Sequence, residues 1–164
     1  MTRRAIKPGF TLIELILVLV ILCIAMALAA PKLSGWSRRT RLRNSAQDFM
    51  SAAKYARVNA VANGAMYRLV VDRQSGVFAV QYQVPGQDFG PVNSDYGRGI
   101  GLPEGAKIEM TGLAGQVIDT IYFYPTGRVD PARVRIGSED GEVDLACASP
   151  AEDFVMLPGQ EQGR

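Results

Sequence analysis

The 164-residue chain contains no histidine. That removes the side chain that titrates nearest neutral pH and the commonest metal ligand, which weakens any Ser/His, Cys/His or HExxH-type site. Cysteine is nearly as scarce, with Cys23 inside an apolar run and Cys147 near the C-terminus. Two cysteines so placed suggest no intramolecular disulfide framework, and both read as small buried apolar residues. Positive charge is also sparse in most of the chain: from residue 44 onward there are ten Lys and Arg against fifteen Asp and Glu, a net of −5. An acidic body is a poor start for wrapping nucleic acid, so nucleic acid is not an expected partner.

The positive charge that is present clusters at the N-terminal end. Arg3, Arg4 and Lys7 form a basic leader, and Lys32, Arg38, Arg39, Arg41 and Arg43 form a second group. Between them, residues 10–30 contain only Thr11 and Glu14 as polar side chains. As a helix this run would measure roughly 32 Å, enough to cross the hydrocarbon core of a bilayer. About 130 residues remain outside it, enough for a small domain with its own core.

The N-terminus has two readings. In the first it is an ordinary secretory signal peptide with a small-residue exit at Ala27-Leu28-Ala29-Ala30, and a cut there would release a soluble enzyme or binding module. Glu14 is then an unexplained cost, the run is longer than a signal core, and no nucleophile–base pair suggests an active site. In the second, Pro8-Gly9 breaks the leader, a peptidase removes only nine residues, and the apolar helix stays as an anchor. The new amine on Phe10 would lie about one helical turn before Glu14.

A carboxylate in hydrocarbon costs several kcal/mol unless it is neutralised or paired, so Glu14 needs a partner. The amine of Phe10 in the same helix, or that of an incoming subunit, has the right reach. Compensation between subunits would select for assembly and fix axial register. The alternative is that Glu14 snorkels to the interface from one turn in.

Gly9-Phe10-Thr11-Leu12-Ile13-Glu14, followed by the apolar run, resembles the processing signal of type IV pilins and type II secretion pseudopilins. The resemblance implies cleavage after Gly9, N-methylation of Phe10, and Glu14 as the assembly carboxylate. Ala56-Arg57 with Ala60, and Phe123-Tyr124-Pro125-Thr126-Gly127, are similar to the H-type minor pseudopilins and their minor-pilin relatives. The function so implied is non-enzymatic: a subunit of a type II secretion pseudopilus, with a minor type IV pilin for adhesion, motility or DNA uptake as the alternative. The implied partners are prepilin peptidase, other pseudopilins, and an inner-membrane platform with its cytoplasmic ATPase. The implied location is the bacterial inner membrane, crossed once, with the C-terminal head in the periplasm. The five basic residues just past the run outnumber the three in the leader, so the positive-inside count does not give this orientation and the processing motif decides it. No cofactor and no metal is expected.

Past the run, Pro31 should kink or loosen the helix, with Ser34-Gly35 as a second soft point. Trp36 and the arginines that follow read as an interfacial anchor. Leu42, Ala46, Phe49, Ala53, Ala56 and Ala60 recur at steps of three and four and form an apolar stripe, with Met50 and Val61 beside it; Asn63-Gly64 stops the helix. Residues 66–72 and 77–82 read as a hairpin around Arg73-Gln74-Ser75-Gly76. Residues 85–116 hold eight of the 17 glycines and read as a long variable loop, with a short strand at 107–110. Gly97-Arg98-Gly99-Ile100-Gly101 lacks a phosphate-loop pattern. Residues 119–124 read as a strand, and 133–136 with 142–146 as a final hairpin around an acidic turn that does not fit a calcium loop.

The expected fold is α+β and pilin-like: a long N-terminal helix, part membrane anchor and part spine, packed on an antiparallel β-sheet head. The expected segments are a cleaved leader at 1–9, a transmembrane and assembly helix at 10–30, an amphipathic spine at 31–64, a β-rich periplasmic head at 65–157 and a flexible tail at 158–164.

Overall fold

The computed structural model describes residues 11–158 apart from 85, 87 and 140, and for residues 27–38 it describes the backbone alone. Gly9 and Phe10, with the rest of the expected leader, and the tail from residue 159 lie outside the described residues. The chain divides into two compact units, Met1–Ser37 and Arg38–Arg164.

A single helix, α1 (Leu12–Asn63), runs for 52 residues with no break in its assignment at Pro31 or Gly35. It ends where expected. Gly64 takes φ +62°, and the amide of Ala65 donates to the carbonyl of Ala60 at 3.3 Å, which satisfies one of the last orphan carbonyls of the helix.

The second unit adds two antiparallel sheets to the spine. In the first, β1 (Tyr67–Asp72), β2 (Val77–Gln83), β3 (Phe89–Pro91) and, later, β7 (Thr120–Phe123) lie in the order β3-β2-β1-β7. The two-residue strand β4 (Ile100–Gly101) pairs with Val77 and Phe78 of β2, while β3 pairs with Gln81 to Gln83. In the second sheet, β5 (Lys107–Gly112), β6 (Val117–Ile118), β8 (Ala132–Ser138), β9 (Gly141–Cys147) and β10 (Val155–Met156) lie in the order β10-β9-β8-β5-β6. A four-residue helix, α2 (Asp95–Arg98), lies between β3 and β4.

Both hairpins anticipated from alternation are present. Asp72 faces Val77 across the first turn, and the Asp72 carboxylate accepts from the amides of Gln74 and Ser75 and from the Ser75 hydroxyl, which holds that turn closed. These bonds keep the Asp72 carboxyl below the usual carboxylate range, the Ser75 hydroxyl contributing most.

The short strand expected at 107–110 is present as β5, whereas the long loop expected before it is corrected: it holds β3, α2 and β4. These three elements are two to four residues long, too short to show a period, and the glycines between them serve as turns. Gly97 has a stricter reason. A Cβ there would lie 1.9 Å from the Val92 carbonyl oxygen, so only glycine lets the two backbones meet.

The alanine stripe forms the helical side of the core. Leu42, Ala46, Phe49, Ala53, Ala56 and Ala60 are buried, and Ala52 and Ser45 join them. Val61, beside the stripe, is 54% exposed and stands at the flank of the buried face, where a Cβ on Gly127 would lie 3.5 Å from its Cγ2. Alternation supplies the sheet side, with Leu69, Phe78, Val80, Ile121 and Phe123 from the first sheet and Ile108, Met110, Val134, Ile136 and Leu145 from the second. Phe49 joins the two. Its ring lies 5.4 Å from that of Phe78 in β2 and 5.7 Å from that of Phe154 just before β10.

Candidate assembly site

At the N-terminal end, the amide of Glu14 bonds to the Thr11 carbonyl at 3.1 Å and lies 3.4 Å from the Thr11 hydroxyl. Thr11 therefore caps α1, and Thr11-Leu12-Ile13-Glu14 has the spacing of a capping box. Glu14 stands in the first turn, where the helix dipole favours a negative charge. The Thr-x-x-Glu signal was legible in the sequence, yet attention to the carboxylate alone passes over the threonine. The expected partner of Glu14, the Phe10 amine, lies outside the described residues.

Glu14 is surrounded by uncovered apolar side chains. Leu12, Ile13, Leu15, Ile16 and the residues on to Met26 are exposed all round the helix. Such a surface needs lipid or protein to cover it. Among the described residues no helix is long and apolar enough to cross a membrane; the side chains of 27–38, which include the last part of the expected span and Trp36, are outside the description. Cys23 is exposed within this stretch, against the expectation of burial, because a helix that is apolar all round has no buried side of its own. Arg39, Arg41 and Arg43 are exposed while Leu42 between them is buried, so the basic run turns its charges outward.

Within the second unit, the two stretches that resemble H-type pseudopilins meet. Arg57 on the spine donates through Nε to the Gly127 carbonyl at 2.8 Å, through one terminal nitrogen to the Asp153 carboxylate at 2.6 Å, and through the other to the Ala151 carbonyl at 2.7 Å. One planar fork thus ties the helix to the turn after β7 and to the loop before β10. Beside it lies a cleft of about 490 Å³ walled by Gln47, Met50 and Lys54 of the helix and by Glu152 and Phe154 opposite. Cys147 closes the same corner. Its thiol is buried and lies 3.2 Å from the Ser149 carbonyl and 3.4 Å from that of Glu152. Burial pushes the thiol pKa up, the nearby Ser149 carbonyl notwithstanding. No local pattern links Asp153 to Arg57, 96 positions away, so their meeting was not readable before the fold.

No cluster of metal-ligating side chains occurs among the described residues. The Gly97 to Gly101 stretch forms α2 and β4, and the acidic turn joins β8 to β9.

An exposed apolar helix that continues into a spine packed on antiparallel sheets defines the chain as a pilin-like α+β protein. Residues 6–30 match the prokaryotic N-terminal methylation motif. The chain is 26% identical over 142 residues to the type II secretion system protein H of Xanthomonas campestris pv. campestris, covering 84% of this chain and 75% of that protein. A crystal structure of the minor pseudopilin EpsH from the type II secretion system of Vibrio cholerae superposes with a TM-score of 0.64 at 15% identity, over 75% of this chain and 98% of the other. The type IV minor pilin FimU of Pseudomonas aeruginosa superposes with a TM-score of 0.55 at 15% identity, over 75% and 92%. In motif, relative and fold the chain is similar to type II secretion minor pseudopilins of the H type, and its likeness to the type IV pilin is weaker. Type II secretion system protein H and EpsH are structural pseudopilins, which are not enzymes.

Proposed function

We propose that the chain is made as a precursor, cut between Gly9 and Phe10 by prepilin peptidase, N-methylated on Phe10, and built into a type II secretion pseudopilus that supports protein export. Residues 10–30 anchor it in the bacterial inner membrane as a single pass, the spine over 31–64 carries the head, and the head at 65–157 stands in the periplasm. Its partners are other pseudopilins and the inner-membrane platform with its cytoplasmic ATPase.

The observation that carries this reading is Glu14: one carboxylate in the capped first turn of a helix whose other described side chains, to Met26, are almost all apolar and uncovered. In hydrocarbon that carboxylate is tolerable only with a cationic partner, and a methylated amine four residues earlier, on its own chain or its neighbour's, supplies one. Pairing across subunits makes insertion into the filament more favourable than lateral solution in lipid.

The decisive experiment is the mass of the N-terminal peptide of the protein recovered from cells. A methylated Phe10 terminus is expected. A terminus at Ala30 or Pro31 would overturn the proposal in favour of an ordinary signal peptide.

A further inference from the structure

The outward face of the second sheet is divided into two unlike halves. Ile108, Met110, Val134, Ile136, Leu145 and Cys147 point inward, so the residues between them point out. On one half, the outward Arg135 of β8 faces Asp144 of β9 and Glu109 of β5. Its Nε lies 2.9 Å from the Asp144 carboxylate and 3.8 Å from that of Glu142, and the hydrogen bond to Asp144 is the main reason its guanidinium is held above its ordinary pKa. That half neutralises itself.

The other half does not. The register puts Val117, Thr111, Arg133, Ala146 and Val155 in one continuous row across β6, β5, β8, β9 and β10. Val117 at one end is 48% exposed and Val155 at the other 56% exposed, and Leu113 in the adjoining β5–β6 turn is 74% exposed. Arg133 stands at the centre of the row, exposed, and among the described residues its guanidinium has no hydrogen bond or ion pair. Arg57, Arg73, Arg98 and Arg135 each have a carboxylate within the chain.

We propose that this row is a docking surface for the head of another pilin-like subunit, one that presents a carboxylate among small apolar side chains. An uncompensated guanidinium flanked by exposed valines and by a threonine and an alanine offers the composition of an interface centre: apolar area to lose from water, and one charge that selects the partner and fixes its register. The occupant is a protein because the row spans the full width of the sheet with exposed valines at both ends, and presents one cation rather than the cluster that a phosphate-rich surface would need. An acidic subunit head is the matching chemistry, and the body of this chain, with its net of −5, is one head of that kind. The proposal rests on reading the chain as a filament subunit.

The test uses the full-length chain in its own cell, with a photo-crosslinking amino acid in place of Val117 or Val155, and in place of Gln74 as a control on the other sheet. Crosslinks from Val117 and Val155 to one other pilin-like subunit are expected. They should fall about tenfold or more in Arg133→Glu and return when the carboxylate beside the partner's crosslinked residue is changed to Lys. Arg133→Gln, which keeps the size and removes the charge, should give an intermediate loss and serves if the charge reversal does not accumulate. Crosslinks to a pilin-like subunit that are indifferent to both substitutions would overturn the docking surface and leave the filament reading intact. Arg133-dependent crosslinks to a protein outside the filament would overturn the proposal, because its occupant is a pilin-like subunit. No crosslink from either valine would overturn the proposal.

Discussion

The Nε of Arg57 and the carbonyl oxygen of Gly127 are 2.8 Å apart, although 70 positions separate them in the chain. The bond joins the middle of the spine to the turn that leads from the first sheet to the second. Two further arms of the same guanidinium hold the loop before β10, so a single side chain fixes three segments that share no local sequence.

Arg57→Ala should therefore destabilise the head by about 1.5–3 kcal/mol, the range for hydrogen bonds to a charged group with partners left behind. Arg57→Lys should recover only part of it, because an ammonium cannot reach three acceptors lying in the plane of a fork. Asp153 is more than half exposed, so Asp153→Ala should cost no more than about 1 kcal/mol. Equilibrium urea denaturation of the three variants checks the order; equal losses for Arg57→Ala and Asp153→Ala would show that the two carbonyl bonds contribute nothing.

Phe49 is fully buried between the two sheets, in contact with Phe78 and Phe154. Burying such a ring stabilises by roughly 1.5–3 kcal/mol, and removing it also leaves a cavity, so Phe49→Ala should cost about 3–5 kcal/mol. Phe49→Leu should cost less than half of that. The midpoint of thermal unfolding, followed by circular dichroism, separates the two.

Gly97→Ala should cost about 3 kcal/mol, because the new methyl would meet the Val92 carbonyl and force the short elements between β2 and β5 apart. Gly105→Ala is the informative contrast. Its Cβ would meet nothing within 4 Å, and only the strain of φ +77° opposes it. A larger loss at Gly105 than at Gly97 would contradict the close approach.

The Cys147 thiol should react with a water-soluble maleimide only as fast as the head opens, because it is buried and its pKa is raised. The sign of its pH linkage follows from that. With the folded pKa above the unfolded one, its contribution is fully present below the unfolded thiol pKa of about 8.5 and is lost as pH rises through the folded value. Stability of the native protein should thus fall in mildly alkaline solution relative to Cys147→Ala, which has no thiol to ionise; parallel curves for the two would refute it.

Glu14→Leu should still be processed and inserted, since neither Gly9 nor Phe10 is touched, but should incorporate poorly into filaments. Co-purification with the other pseudopilins reads the effect. Undiminished incorporation would sink the pairing of Glu14 with an amine.

The helical stripe, the strands at 67–72 and 77–83 and the hairpin of β8 and β9 were legible because each has the period of its own element over six residues or more. β3, β4, β6 and β10 were not, being two or three residues long and held in place by neighbours rather than by pattern. The first-turn carboxylate was visible at once, since its cost depends only on the apolar residues beside it. The threonine that caps it was equally local and equally readable.

By itself the sequence brought the candidate N-terminal residues together: Gly9, Phe10, Thr11 and Glu14 fall within six consecutive positions, and no distant contact is needed to place them side by side. It also determined which face of the spine is buried, through steps of three and four. Only the tertiary structure decided that the strands divide into two sheets, that Arg57 clasps Gly127, Ala151 and Asp153, and that Arg135 is neutralised while Arg133 is not. The physical reason is register. Which charge meets which across a sheet depends on the alignment of strands far apart in the chain, and a shift of one residue would exchange the inward and outward sets.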